Sequence, residues 1–397
     1  MNILSETFII RLMTIVRRVA RKFNVGLYSV QWMLSRALPS TVMVPVAPVR
    51  LANHLADEDL APLYAMLPGG RNYGSSISEN DLSRKDDYDL EIIIPAYNVE
   101  DYVDKCLQSV LNQQTKYTFL VVVVNDGSTD RTRQILAQYE SCPNVEIHDQ
   151  ENSGQGVARN VALKSIRGRY IMFVDSDDWL LPGAVDVLMD NARKYDADIV
   201  EGCFQLFDGG CLRQGYTNKF DVSDGWSGQL QGYPCGKVFR SELFAGSRFP
   251  EGYLYEDTLM TLVTYPMSHS VVTIPDNVYV YRYNPMGITA TSGKSPRAVE
   301  GLLVTLQLLE DNAASKRQPD MRAYDNFLKN EVPNTFLGIY TLNNDAVDHH
   351  VFSVFCRIIR QYFDGFRTED ASLKPFEKSL HDENYRSYVL SIMARET

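Results

Sequence analysis

Three carboxylates stand within four residues at Asp175, Asp177 and Asp178, directly after the apolar run Ile171 to Val174. So close together they repel one another unless a cation or solvent compensates, which favours a metal site. Hard oxygen ligands with no Cys or His beside them suit Mg²⁺ or Mn²⁺ rather than Zn²⁺. Upstream, Asp126-Gly127-Ser128 follows another apolar run. It suits either a nucleotide contact or an ordinary strand-to-helix turn capped by Ser128 or Thr129.

The elements that must position these residues are four apolar runs in succession, each ending in polar groups. LEIIIPAYN ends at Asn98, FLVVVVNDGSTD at Asp130, the weaker NVEIHDQENSGQGVARN at Asn160, and RYIMFVDSDDWL carries the acidic cluster. Runs of four to six largely β-branched residues read as strands buried on both faces, and a helix-compatible segment follows each. Such alternation predicts an α/β domain with a parallel sheet. Ligands of open α/β sheets sit outside the carboxyl ends of the strands, where Tyr97, Asn98, Asp126, Gly127, Asp175 and Asp177 all fall. The expected ligands are a nucleotide and a divalent metal.

At these residues a family resemblance appears. IIIPAYNVEDYVDKCLQSVLNQ, VVNDGSTDRT, NSGQGVARNVAL and YIMFVDSDDWL, in this order and spacing, resemble the inverting family 2 glycosyltransferases of bacterial surface-polysaccharide type, over about Leu90 to Ser292. The resemblance implies a GT-A (Rossmann-like) nucleotide-diphospho-sugar transferase domain. It implies that Pro95, Tyr97 and Asn98 cradle the uracil and ribose of a UDP-sugar, and that Asp126 reads the base. Asp175 and Asp177, flanking Ser176, match the D-x-D signature: Asp175 near ribose or metal, Asp177 on the Mn²⁺ or Mg²⁺ that bridges the phosphates. Ser176 is counted with the nucleotide-sugar contacts.

Arg159 matches a basic residue near the nucleotide, or serves as a structural ion-pair partner. Asn152 and Gly154 shape the same turn. Glu256 and Asp257 in GYLYEDTLM resemble the catalytic-base motif, with Asp257 as the base and Glu256 in reserve; the plain alternative is an acidic helix start. Lys237 in PCGKVFR matches a donor contact, or is a surface lysine. Arg282 falls in an aromatic-basic segment that elsewhere in the family touches diphosphate, although Met286 and Ile288 interrupt the pattern. The implied reaction moves a hexose or N-acetylhexosamine to a glycan or lipid-linked acceptor, with inversion. A non-catalytic glycan- or nucleotide-binding scaffold and a nucleotidyltransferase are the rivals, the latter lacking a basic Gly-rich phosphate loop.

Composition fits a chain able to bury a sizeable core, with 397 residues, 45% of them hydrophobic. The six cysteines show no C-x-x-C or zinc spacing, the pattern of a reduced, cytoplasmic protein. The first fifty residues carry seven Lys/Arg against one acidic residue, so a balance of +6 there leaves −17 for the rest of a chain of net charge −11. Such an acidic remainder repels nucleic acid. Residues 3–22 combine Leu4, Phe8, Ile9, Leu12, Ile15 and Val16 with Arg11, Arg17, Arg18, Arg21 and Lys22. They read as a basic amphipathic helix at the inner face of a membrane, or as one packed on the catalytic domain or in a homo-oligomer. No run of about eighteen apolar residues predicts a spanning helix.

Four segments are expected: a helical extension over 1–68, a polar linker over 69–89, the GT-A domain over 90–294 and a helical region over 295–397. The C-terminal aromatics Tyr340, Phe352, Phe355, Tyr362, Phe363 and Phe366 read as core rather than as sugar platforms.

Overall fold

The computed structural model describes residues 55–67, 83–226, 228–285, 287, 296–317, 319–340 and 344–395. Residues 3–22, and with them the expected amphipathic helix, lie outside the described residues, as do Met286 and Ile288. The described chain falls into two compact units, one running up to Ala61 and resuming at Ile339, the other Pro62–Gly338. The sequence-derived borders at 68/69, 89/90 and 294/295 all lie inside the second unit.

After the short helix α1 (Asp57–Tyr64) comes strand β1 (Ser83–Ala96), then α2 (Val103–Leu111), β2 (Phe119–Asp126), α3 (Thr132–Leu136), β3 (Val145–Gln150), α4 (Gln155–Leu163) and β4 (Ser165–Phe173). Beyond the acidic cluster lie β5 (Trp179–Leu180), α5 (Ala184–Lys194), β6 (Ile199–Asp208), β7 (Cys211–Gln214), β8 (Asp221–Ser223), β9 (Lys237–Arg240) and β10 (Val271–Arg282). These ten strands form one sheet in the order β3-β2-β1-β4-β9-β6-β10-β5, with β7 on β6 and β8 on β10. The expected parallel half is there: β1 pairs parallel with both β2 and β4, and β2 with β3. From β4 outward the sheet turns mixed, because β9 runs antiparallel to both β4 and β6.

The register levels the strand ends. Ile93 lies opposite both Val122 and Phe173, Ala96 opposite Asn125, and Asp126 opposite Gln150. The loops after β1, β2, β3 and β4 therefore open on one edge, and the chain reverses its winding direction between β1 and β4, where a crevice forms. β2 is buried at every position after Phe119, as its continuous apolar run requires. β3 is the edge strand and is only partly covered, which explains its weaker signal. Helix α2 buries Val103, Cys106, Leu107 and Val110, one face at helical spacing, in the same core as Leu90, Ile92, Val121 and Met172.

The linker expected over 69–89 is corrected at its end. Residues from Ser83 on belong to β1, with Ser83 opposite Ser165 and Tyr88 opposite Gly168 across a bulge. The polar run Ser83 to Asp89 looks like a loop because this extension faces solvent. It is held by ion pairs from Arg84 to Glu242 (2.6 Å) and from Arg167 to Asp87 (3.1 Å) as well as by the ladder.

The later helices of the second unit are α6 (Glu300–Ala314), α7 (Met321–Asn326) and α8 (Val332–Tyr340), the last running into the first unit. Leu302, Leu303, Leu306 and Leu309 are buried, and so are Val304 and Leu308, so α6 is covered around most of its girth. The first unit contains α9 (Asp345–Tyr362), α10 (Lys374–His381) and α11 (Tyr385–Arg395). The rings of Phe352 and Phe376 lie 4.8 and 5.7 Å from that of Tyr388. Phe355 and Phe363 are fully buried, while Tyr362 and Phe366 are half-buried, so these aromatics build core. Among the described residues no helix is long and apolar enough to cross a membrane.

Candidate active site

One rim of the crevice is made by the loops after β1, β2 and β3. Pro95 is buried inside β1, whereas the Tyr97 ring at its end is 45% exposed and engages nothing among the described residues. A free, flat ring at the mouth of the crevice is suited to stacking on a base. Asn98 has a left-handed backbone (φ 49°), which Asn tolerates, and its side chain is spent locally. Its Oδ1 accepts from the Thr129 N–H (2.8 Å), and its own N–H donates to Ser128 Oγ (3.1 Å). It ties the β1 loop to the β2 loop.

Asp126 is buried and organises the β3 loop. Its Oδ1 accepts from Gln150 Nε2 (2.6 Å) and the Ser153 N–H (2.8 Å), and its Oδ2 from the Gly154 N–H (2.8 Å). Carboxylate oxygens accept about two bonds each, so Oδ2 retains one acceptor direction for a nucleobase N–H. Gly127 (φ 70°) is required here, since a Cβ would lie 2.6 Å from the Asn152 nitrogen.

After β4 the acidic turn is pinned from β10. Tyr279 donates its hydroxyl hydrogen to Asp178 Oδ2 (2.7 Å) and accepts from the Asp175 N–H (3.1 Å), while the Arg282 N–H donates to Asp178 Oδ1 (2.7 Å). Asp178 is thus committed to structure, leaving Asp175 and Asp177 half-buried with Ser176 buried between them. Burial, then the Asp175 charge, raises the Asp177 carboxyl above its ordinary value. Burial, then Asp177 and Asp175, raises Asp178 well above it. Negative charge is concentrated where solvent is scarce, a surplus that a divalent cation would relieve.

Among the described residues no three or more His, Cys, Asp or Glu side chains are grouped to hold a metal by themselves. Two carboxylates still fit Mg²⁺ or Mn²⁺, which typically use one or two and take their remaining ligands from water and substrate phosphates. Arg282 lies alongside, its Nε donating to the Asp177 carbonyl (2.7 Å) and its guanidinium 4.8 Å from the ring centres of both Tyr102 and Trp179. Asn284 donates to Asp177 Oδ2 (3.1 Å).

Arg159 joins the acidic turn to the Glu256-Asp257 pair. It projects from α4, is 2% exposed, and donates to Asp175 Oδ1 (2.9 Å) and Glu256 Oε1 (2.5 Å). Gly156 lets the chain around Glu256 approach α4: a Cβ there would stand 2.9 Å from the Pro250 carbonyl and 3.3 Å from Glu256 Cβ. Glu256 is therefore buried and bonded, whereas Asp257 is half-buried and no side chain among the described residues bonds to it. Burial lifts Glu256 to about 7 against the pull of Arg159. Asp257 is lifted to about 6 by burial, opposed by Arg159 and reinforced by Glu331 and Asp175. A cavity of about 360 Å³ is walled by Arg159, Asp175, Glu256, Asp257, Tyr233 and Tyr279 among others.

Lys237 is corrected on both of its expected roles. It is wholly buried, with Nζ donating to Glu201 Oε1 (2.8 Å), the Tyr233 carbonyl (2.6 Å) and the Cys235 carbonyl (3.3 Å). An ammonium has three hydrogens, so none remains for a donor sugar or diphosphate. Glu201 is deeply buried as well, and removing one partner of such a pair strands the other's charge. Lys237→Met is expected to cost about 3–5 kcal/mol, with part of the loss restored in Lys237→Met/Glu201→Leu. Denaturant melts of the three proteins check this, and an unchanged midpoint in the single variant would refute it.

Tyr279 and Tyr233 were not anticipated. Tyr279 sits in NVYVYRY, where tyrosines at every second position mark one face of a strand, although Tyr279 itself is buried. Tyr233 has no such periodicity around it.

Residues 91–245 match the model of "Glycosyl transferase family 2". This segment belongs to that family. The chain is 33% identical over 213 residues to "Glycosyltransferase GlyA" of Streptococcus pneumoniae serotype 4, covering 49% of this chain and 30% of that protein. It is 30% identical over 218 residues to "Uncharacterized glycosyltransferase EpsJ" of Bacillus subtilis, covering 50% and 62%. The chain thus spans less than two thirds of the length of either relative. Among solved structures, S. aureus TarS 1-349 in complex with UDP-GlcNAc superposes with a TM-score of 0.59 at 21% identity, covering 77% of this chain and 91% of that one. The family 2 domain has the GT-A fold expected of it. Its matched segment includes the acidic turn and Arg159 and stops short of Glu256 and Asp257.

Proposed function

We propose that the protein transfers a hexose or N-acetylhexosamine from a UDP-sugar, with inversion, to a glycan or lipid-linked acceptor in bacterial surface-polysaccharide assembly. The observation that carries this reading is the 360 Å³ cavity, in which an unpartnered carboxylate, Asp257, shares a wall with Asp175 and Arg159. A base and an acidic, cation-compatible turn in one cavity are the two halves of a displacement at an anomeric carbon. The UDP-GlcNAc held by TarS favours a uridine donor, and the family 2 relatives favour glycosyl transfer.

In this mechanism Tyr97 stacks on uracil and Asp126 accepts from its N–H. The acceptor hydroxyl gives its proton to Asp257 as its oxygen bonds to C1 of the sugar. The bond from C1 to the diphosphate oxygen breaks, and its electron pair leaves with UDP. Mg²⁺ or Mn²⁺ held by Asp177 and Asp175 would neutralise charge on the departing diphosphate. Arg159 pairs with Asp175 and holds Glu256, fixing the backbone that presents Asp257. Single displacement turns an α-linked donor into a β-glycoside. In the same reading the basic residues 3–22 bring the enzyme to an anionic membrane carrying the acceptor.

The test is UDP release by the full chain with Mn²⁺ across a panel of UDP-sugars. Donor-selective release that chelation abolishes, and that falls about a hundredfold in Asp177→Ala, is expected. Absence of both release and UDP binding would overturn the proposal in favour of a scaffold. Pyrophosphate liberated from a nucleoside triphosphate would replace it with nucleotidyl transfer.

A further inference from the structure

Asp257 also lines a second and larger cavity, of about 710 Å³, wholly within the Pro62–Gly338 unit. That volume lies within the roughly 300–1,000 Å³ typical of small-molecule sites. Its walls come from the segment around Gln231 and Tyr233, from the helical turn after Asp257, and from the segment carrying Glu331 and Asn334. Tyr233 borders both cavities, and its hydroxyl is buried with no hydrogen-bond partner. A buried hydroxyl without a partner is costly unless something else supplies one.

Two π-helical segments, Met260–Thr264 and Phe327–Glu331, meet at this cavity. Such turns are rare and concentrate at functional sites. Thr261 of the first and Glu331 of the second approach at 3.4 Å, but the Thr261 hydroxyl has one hydrogen and a nearer acceptor in the Thr258 carbonyl (3.2 Å). Glu331 Oε1 otherwise accepts only a long bond from Asn326 Nδ2 (3.3 Å), and Oε2 accepts none among the described residues. The cavity beside the base therefore contains a second, poorly satisfied carboxylate, an unpaired tyrosine hydroxyl and the exposed amide of Asn334.

We propose that this cavity is the acceptor subsite, that it takes a neutral polyhydroxylated sugar, and that Glu331 is its positioning residue. The inference rests on the reading of Asp257 as the base. Glu331 accepts a hydrogen bond from a hydroxyl adjacent to the one that Asp257 deprotonates, and Tyr233 and Asn334 bond further hydroxyls. Two carboxylates facing one lysine, Lys329, disfavour an acidic sugar.

The experiment is saturation-transfer NMR on the full chain with UDP and Mn²⁺, titrating methyl β-glucoside, methyl β-galactoside, methyl β-N-acetylglucosaminide and methyl β-glucuronide. At least one neutral glycoside is expected to bind and the glucuronide to bind weakest. The bound glycoside should weaken by about tenfold in both Glu331→Gln and Asn334→Trp. The second variant changes an exposed position, and calorimetric UDP binding by each shows that it is folded. No neutral binder, a glucuronide that binds as well, or unchanged affinity in the two folded variants would overturn the inference. The glycoside result decides the subsite by itself, whereas failure of the wild type to bind UDP counts against the donor reading above.

Discussion

Asp257→Asn is expected to lower kcat for glycosyl transfer by about a thousandfold while UDP affinity stays within about twofold of wild type. The amide is nearly isosteric with the carboxylate but cannot accept the acceptor's proton, so the loss appears in the chemical step. Glu256 cannot replace it, being buried and bonded to Arg159 at 2.5 Å. The pH profile gives a second readout. Burial raises Asp257 to about 6, with Arg159 opposing and Glu331 and Asp175 assisting, and Glu256 adjoins it in sequence. A base works ionised, so wild-type kcat/KM should climb from pH 5 and level off above pH 7. That ascending limb should vanish from the residual activity of Asp257→Asn. Should Asp257→Asn remain active while Glu256→Gln loses the thousandfold, the two residues exchange roles and the geometric argument fails.

What could be read from the sequence depended on whether a residue's job is local. The runs of β1, β2 and β4 are apolar because both faces of the strands are covered, and burial of that kind leaves a direct signature. The placement of Asp126 and Asp175 followed, since residues at the ends of parallel strands must share an edge. Lys237 was misread because its meaning lies in Glu201, 2.8 Å away across the β6–β9 ladder and 36 positions earlier in sequence. The extension of β1 to Ser83 was hidden by polarity, since an exposed strand and a linker have the same composition. Glu331 gave no signal: its proximity to Asp257 comes from packing between segments about seventy residues apart. The choice between Glu256 and Asp257, undecidable from adjacent letters, becomes a geometric contrast once Arg159 is seen to hold only Glu256 of the two.

Arg159→Met should destabilise the Pro62–Gly338 unit by about 3–5 kcal/mol, the cost of breaking a buried pair by removing one partner. Among the described residues its guanidinium is the cationic partner of both Asp175 and Glu256, and the guanidinium carbon lies 6.0 and 5.1 Å from the ring centres of Phe173 and Phe249. Methionine keeps an unbranched apolar stem of similar reach and removes the guanidinium, so the loss measured is mainly that of the charge and its hydrogen bonds. The deficit should depend on pH in a definite direction. Burial already holds Glu256 at about 7 in the fold, above its ordinary value of 4.5, with Arg159 pulling it down. Without Arg159 the folded value moves higher still, so the folded state binds more protons than the unfolded state across the window from about 4.5 upward past 7. Stability then falls as pH rises. Urea midpoints for the variant should therefore lie furthest below wild type at pH 8 and approach it at pH 5, and Arg159→Met/Glu256→Gln should flatten that dependence. A deficit under about 1 kcal/mol at pH 8, or one that grows on acidification, would mean that Arg159 is not what makes this buried acidic pair tolerable. The link it provides between the acidic turn and the loop bearing Asp257 would then need another source.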